Sequence, residues 1–161
     1  MNKMKKTILI LIRVLSIGAT VSAAIVMATG HENTNILSIP TQANYSDTPA
    51  FKYFLIANII GSVYGFTVCF LPQESSLLRL VLISDVVMSV VLTSSLSAAM
   101  AIAELGKKGN SHAGWQPICG QFHNYCDHVA AALAAAFIAL IFYTSLIFHS
   151  IHTLLYPMSL L

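Results

Sequence analysis

Four apolar runs, at residues 8–28, 51–71, 80–103 and 129–150, constrain this chain more than any other feature. Each has the roughly 20 residues that an α-helix needs to cross a hydrocarbon core about 30 Å thick. Backbone amides in such a core can bond only to one another, so the runs are expected to be helices. Composition agrees: 57% of residues are hydrophobic and 9% charged, where soluble domains carry roughly 25% charged residues. The joining segments are short, which leaves a single domain over residues 1–161 and no room for a soluble module. The expectation is an all-α membrane protein, a four-transmembrane-helix bundle with outer loops at 29–50 and 104–128.

Lys3, Lys5 and Lys6 precede the first run, and the positive-inside tendency then places that end in the cytoplasm, although Lys52, Lys107 and Lys108 would lie on or near the outer side. Residues 1–30 also have the layout of a secretory signal, with a basic start, an apolar core and small residues after it. Arg13 interrupts that core, however, and the apolar character continues through Ile25, Val26 and Met27. A retained first helix is the better reading. The net charge of +2, with no basic patch interleaved with aromatics, excludes a nucleic-acid partner.

Asp85 stands near the start of the third run. A carboxylate facing lipid costs about 2.5 to 3.5 kcal/mol on insertion scales, so it is expected to face protein and have a partner. Arg13 lies about five or six residues into the first run. If both helices run outward, the two charges fall at similar depth, and a structural Arg13–Asp85 pair follows. The competing readings are an arginine snorkelling to the headgroups and a proton or ion relay.

In the second run Ala57, Gly61 and Gly65 recur at spacing four, which gives one helix face that another helix can approach closely, within the chain or from an oligomer partner. Cys69 reads as a free, space-filling thiol, and Pro72 as the end of that helix. Ser84, Ser89, Thr93, Ser94, Ser95, Ser97 and Ala98 form a polar, small-residue stripe on the third helix, which Gly106 and Gly109 are expected to stop.

Asn44-Tyr45-Ser46 is a glycosylation sequon, but it lies so close to the second run that its use is not expected. Cys119 and Cys126 sit in the second outer loop, where an oxidising compartment would join them as a disulfide. Zinc held with His112, His123 and His128 is the alternative, and the spacing fits none of the usual zinc modules. Trp115, Phe122 and Tyr125 are expected to rest on the membrane surface or cover the cysteine ring. His149 and His152 read as interfacial. No nucleophile with a base and an orienting group, metal set or phosphate loop is present, so the chain is read as neither an enzyme nor a cofactor protein.

Several stretches together carry a family resemblance: Arg13 with the Met27-Ala28-Thr29 exit; YSDTPAFKYFLIANIIGSVY; SDVVMSVVLTSSLSAAMAIAELGKKGN; and W-x-x-x-C-x-x-F-x-x-Y-C from Trp115 to Cys126. In their order and spacing the chain resembles the Casparian strip membrane protein-like (CASP-like) family of plants, four-span proteins related to the MARVEL group. The family's intramembrane Arg and Asp match Arg13 and Asp85, and its outer-loop cysteines match Cys119 and Cys126. The resemblance implies a plasma-membrane protein with both termini cytoplasmic that forms homo- and hetero-oligomers with related four-span proteins. In strip-forming members it implies a scaffold that gathers cell-wall enzymes such as peroxidases. Residues 29–50 lack the aromatic, Thr-Leu-Pro-Phe-Phe-like signature of those members, which favours a CASP-like relative. The functional expectation is a non-enzymatic scaffold. The alternative is a small channel or transporter using Arg13, Asp85 and the serine stripe.

Overall fold

The computed structural model describes residues 3–36, 39–71 and 75–155. Four long helices dominate: α1 (Lys3–Thr29), α2 (Pro49–Cys69), α3 (Ser75–Lys108) and α4 (His123–Leu155). Each contains a stretch long and apolar enough to cross a membrane. α1 packs on α2 and α4, and α3 packs on the same two, so α1 and α3 face one another across the diagonal of the bundle. Leu9, Val68, Leu78 and Ser150 line one cleft, which brings the start of α1, the end of α2, the start of α3 and the end of α4 to the same end. Neighbouring helices are therefore antiparallel. That end is called here the terminal end, and the opposite one the loop end.

Burial follows helical spacing. Arg13, Ser16, Thr20, Ala23 and Met27 point inward from α1, and Asp85, Met88, Leu92, Leu96 and Ala99 from α3. The inward faces of α2 and α4 taper in opposite directions. On α2 the buried residues shrink from Phe51 and Phe54 at the loop end to Ala57, Gly61 and Gly65 toward the terminal end. On α4 they grow from Ala132, Ala136 and Ala139 to Tyr143 and Leu146. Within the apolar runs, large side chains of one diagonal helix thus stand opposite small ones of the other.

The loop end differs from the sequence reading in three respects. First, the 29–50 segment holds an antiparallel hairpin, β1 (His31–Ile36) paired with β2 (Ile39–Asn44). Its connecting residues, Leu37 and Ser38, lie outside the described residues. A short 3-10 turn at Tyr45–Asp47 then leads to Pro49, which opens α2 where its missing N–H costs nothing. Second, α3 runs through Gly106 to Lys108. Only Gly109 stops it, at φ +68°, and a Cβ there would lie 2.6 Å from the Trp115 carbonyl oxygen. Glycine is what that position tolerates. Third, α4 starts at His123, so Cys126 lies in its first turn rather than in a loop.

Phe122 and Tyr125 do not lie on a surface either. Both are buried in a cluster with Phe51, Phe54, Ala99 and Val129, and the rings of Tyr125 and Phe51 meet edge to face at 6.4 Å. The extra helical turns beyond the apolar run give these aromatics a protein surface to cover. Only Trp115, 58% exposed, stays outside. Pro72, expected to end α2, lies outside the described residues, and the helix ends before it at Cys69.

Candidate functional site

The terminal half of the bundle holds a polar cluster, reached from the terminal end by a cleft that Arg13 lines. Arg13 reaches across the diagonal to Asp85 through two parallel bonds, Nη1 to Oδ1 at 3.0 Å and Nη2 to Oδ2 at 2.7 Å. Each residue sits ten positions past the first residue of its helix, Lys3 or Ser75, so both lie about 15 Å along at 1.5 Å per residue. Asp85 has no exposed surface and Arg13 has 8%. The Tyr64 hydroxyl, from α2, donates to Asp85 Oδ1 at 2.8 Å and lies 3.2 Å from the Val81 carbonyl. The carboxylate thus receives three donors from two helices, which is what a buried charge requires.

The fourth helix joins through Tyr143, whose hydroxyl donates to the Gly61 carbonyl at 2.8 Å. The small face of α2 makes room for these groups. A Cβ at Gly65 would lie 2.8 Å from Ile17 Cγ1 and 3.5 Å from the Tyr143 hydroxyl oxygen. At Gly61 it would meet Leu92 and Met88 at ordinary contact distances. Ala57, Gly61 and Gly65 are all buried inside the chain, so this face serves its own bundle.

Above the pair, Ser16 donates to the Arg13 carbonyl, Ser62 to Thr20 Oγ1 at 2.9 Å, and Asn58 Nδ2 to the Phe54 carbonyl at 2.9 Å. Asn58 Oδ1 is buried without a hydrogen-bond partner among the described residues. The serine stripe on α3 does not extend this column. Ser95 alone is buried, bonded to the Leu92 carbonyl, whereas Thr93, Ser94 and Ser97 are exposed on the outer face.

At the loop end Cys119 and Cys126 are joined as a disulfide, with Cα atoms 5.7 Å apart. The sulfurs bond to one another, so neither is available as a thiolate ligand. The Ile118 and Cys119 amides donate to the Gly106 carbonyl at 2.9 and 3.3 Å, which seats the cysteine loop on the end of α3. Glu32 of the hairpin accepts from the Tyr125 amide at 3.0 Å and from Asn124 Nδ2 at 3.3 Å. A carboxylate from one loop thereby caps the first turn of α4, where helix amides lack intrahelical partners. Asn44 also acts as a local cap: its Oδ1 accepts from the Ser46 amide, and its own amide donates to Asp47. Cys69 is a half-buried free thiol.

Sequence reasoning missed Tyr64, Tyr143 and Glu32. The two tyrosines carried a readable signal, because both lie deep within apolar runs and far from the interfacial belts where tyrosine is usual. A hydroxyl at that depth needs a partner. Glu32 carried none, since its partner is almost a hundred residues away in sequence.

Residues 2–142 match the Casparian strip membrane protein domain. The chain is 58% identical to CASP-like protein 1C2 of Vitis vinifera over 144 residues, 89% of each chain. It is 53% identical to CASP-like protein 1C3 of Populus trichocarpa over 96% of this chain and 91% of that one. With CASP-like protein 1C1 of Arabidopsis thaliana the identity is 49%, over 92% of this chain and 90% of the relative. No solved structure matches. Four helices of spanning length, with a domain match over most of the chain and close plant relatives, place this multi-pass membrane protein in the CASP-like family.

Proposed function

We propose that this protein is a non-enzymatic scaffold of the plasma membrane, with both termini cytoplasmic, that assembles with its own copies and with related four-span proteins. The observation that carries this reading is the closure of the Arg13–Asp85 pair. A guanidinium and a carboxylate locked by two direct bonds, with a tyrosine on the same carboxylate and almost no exposure, form a mutually neutralised structural unit. A rigid bundle with its charges satisfied internally leaves its outer faces for association. Ser89, Thr93, Ser97 and Ala101 recur at spacing four along α3, and the last three are exposed. Small residues so placed let a neighbouring helix come close. In the assembly the loop end faces the cell wall, where it meets wall-associated enzymes such as peroxidases.

The channel or transporter alternative draws on the polar column through Ser16, Thr20 and Asn58, but all three have no exposed surface. The serine stripe that would widen such a path lies largely outside the bundle. A fluorescent fusion of the full chain at native expression tests the scaffold by photobleaching. Slow, incomplete recovery is expected, and free recovery overturns the reading. Specific ion or solute flux in reconstituted vesicles that disappears in Asp85→Asn would replace it with the transport reading.

A further inference from the structure

A cavity of about 520 Å³ lies at the loop end and is not part of the charge cluster. Its size falls within the about 300–1,000 Å³ typical of ligand sites. It straddles the edge of the apolar runs. Met100 and Ala103 of α3, with Ala130 and Leu133 of α4, line its deep part within those runs, while Lys107 and Gln116 line it beyond them. Met100, 52% exposed, and Ala130, also exposed, lie on outward faces, so the cavity opens sideways where bilayer chains would be. The disulfide forms one wall, and Trp115 borders the mouth.

We propose that this cavity binds one acyl chain of a phosphate-headed lipid from the leaflet on the loop side, with the phosphate at Lys107. The polarity gradient matches such a molecule, apolar at depth and polar at the headgroup level. The charge at the mouth matches as well. Glu104 is already paired with Lys108, which leaves Lys107 as the surplus cation of that group. A second copy fits less well. A helix about 10–12 Å across would fill 520 Å³ with about one turn, too little to anchor it. An extended chain can lie along the same space.

The test uses the full chain in phosphatidylcholine–phosphatidylglycerol vesicles, with a photoreactive phosphatidylglycerol carrying its diazirine at the chain end. Labelling is expected to concentrate on peptides spanning 100–107 and 115–133, and to fall several-fold in Ala130→Trp, which fills the cavity. Lys107→Gln should lower labelling by the phosphatidylglycerol probe but not by an uncharged diacylglycerol probe. Retention of the Cys119–Cys126 disulfide reports that the filled variant has folded. Trp115→Ala, at an exposed residue, provides a second variant and should also reduce labelling. Even labelling along all four helices, labelling unchanged by both Trp variants, or cross-links to a second copy in place of lipid would overturn the proposal.

Discussion

The two ends of this bundle are held together by different physics. At the terminal end the inward faces carry Arg13, Ser16, Tyr64, Asp85 and Tyr143, and few large apolar groups. At the loop end they carry Phe51, Phe54, Met27, Leu96, Phe122 and Tyr125, and the cysteine loop and hairpin sit on top. The contrast follows from the solvents. Within hydrocarbon, burying an apolar side chain gains little, because lipid is as apolar as leucine, and hydrogen bonds and close packing hold helices together. Met27, Phe51, Phe54 and Leu96 lie at the loop-side ends of the apolar runs, whereas Phe122, Tyr125 and the loops lie beyond those runs and meet water, so burial of those two rings regains its full value. A disulfide and a carboxylate cap add to it. The terminal end is thus fixed by polar geometry and the loop end by area and covalent closure.

Mutations at each end should separate these mechanisms. Asp85→Asn strands a buried arginine, and an expected loss of about 3–5 kcal/mol should lower the melting temperature of the detergent-purified protein sharply. The exchanged pair Arg13→Asp with Asp85→Arg should recover most of that loss, and failure to recover would show that the local surroundings, not the pairing, set the cost. Removing both cysteines, Cys119→Ser with Cys126→Ser, should cost about 2.5 kcal/mol from the lost closure of a short loop. That effect should be confined to the loop end: hydrogen exchange should rise at 110–126 and stay unchanged around Asp85. Gly65→Ala should cost about 1–2 kcal/mol, because overpacking against Ile17 outweighs the gain in helix propensity. Gly61→Ala, which meets only ordinary contacts and keeps the gain in helix propensity, should melt at or slightly above the parent. Equal effects at the two glycines would contradict the close approach of α1 and α2. Glu32→Gln should cost about 1 kcal/mol through the weakened cap on α4, seen as faster amide exchange at Tyr125.

Much of the membrane-embedded part is legible in the sequence, because one rule governs it: every backbone amide must be satisfied within its own helix. The four runs read directly as helices for that reason. The meeting of Arg13 and Asp85 can be read from their matched depth, since charges in hydrocarbon have few alternatives to each other. Beyond the membrane the rule lapses. HENTNI and IPTQAN show no apolar alternation, so the hairpin left no periodic signal. Gly106 looked like a helix stop, but a helical glycine is tolerated, and only the positive φ at Gly109 demands one. Cys126 and Tyr125 read as loop residues because α4's first turns are polar, and those turns owe their stability to Glu32, which no local pattern reveals.

The diagonal placement of the charge pair also bears on how the chain is made. Arg13 and Asp85 are 72 residues apart, and synthesis at roughly 5–20 residues per second separates their emergence by about 4–14 seconds. During that interval α1 enters the membrane with a cation that has no carboxylate to meet, and Tyr64 arrives before the group it will hold. The first helix therefore depends on headgroups or on the insertion machinery until the third helix is delivered. A chain that stalls before Asp85 leaves Arg13 without the carboxylate that neutralises it.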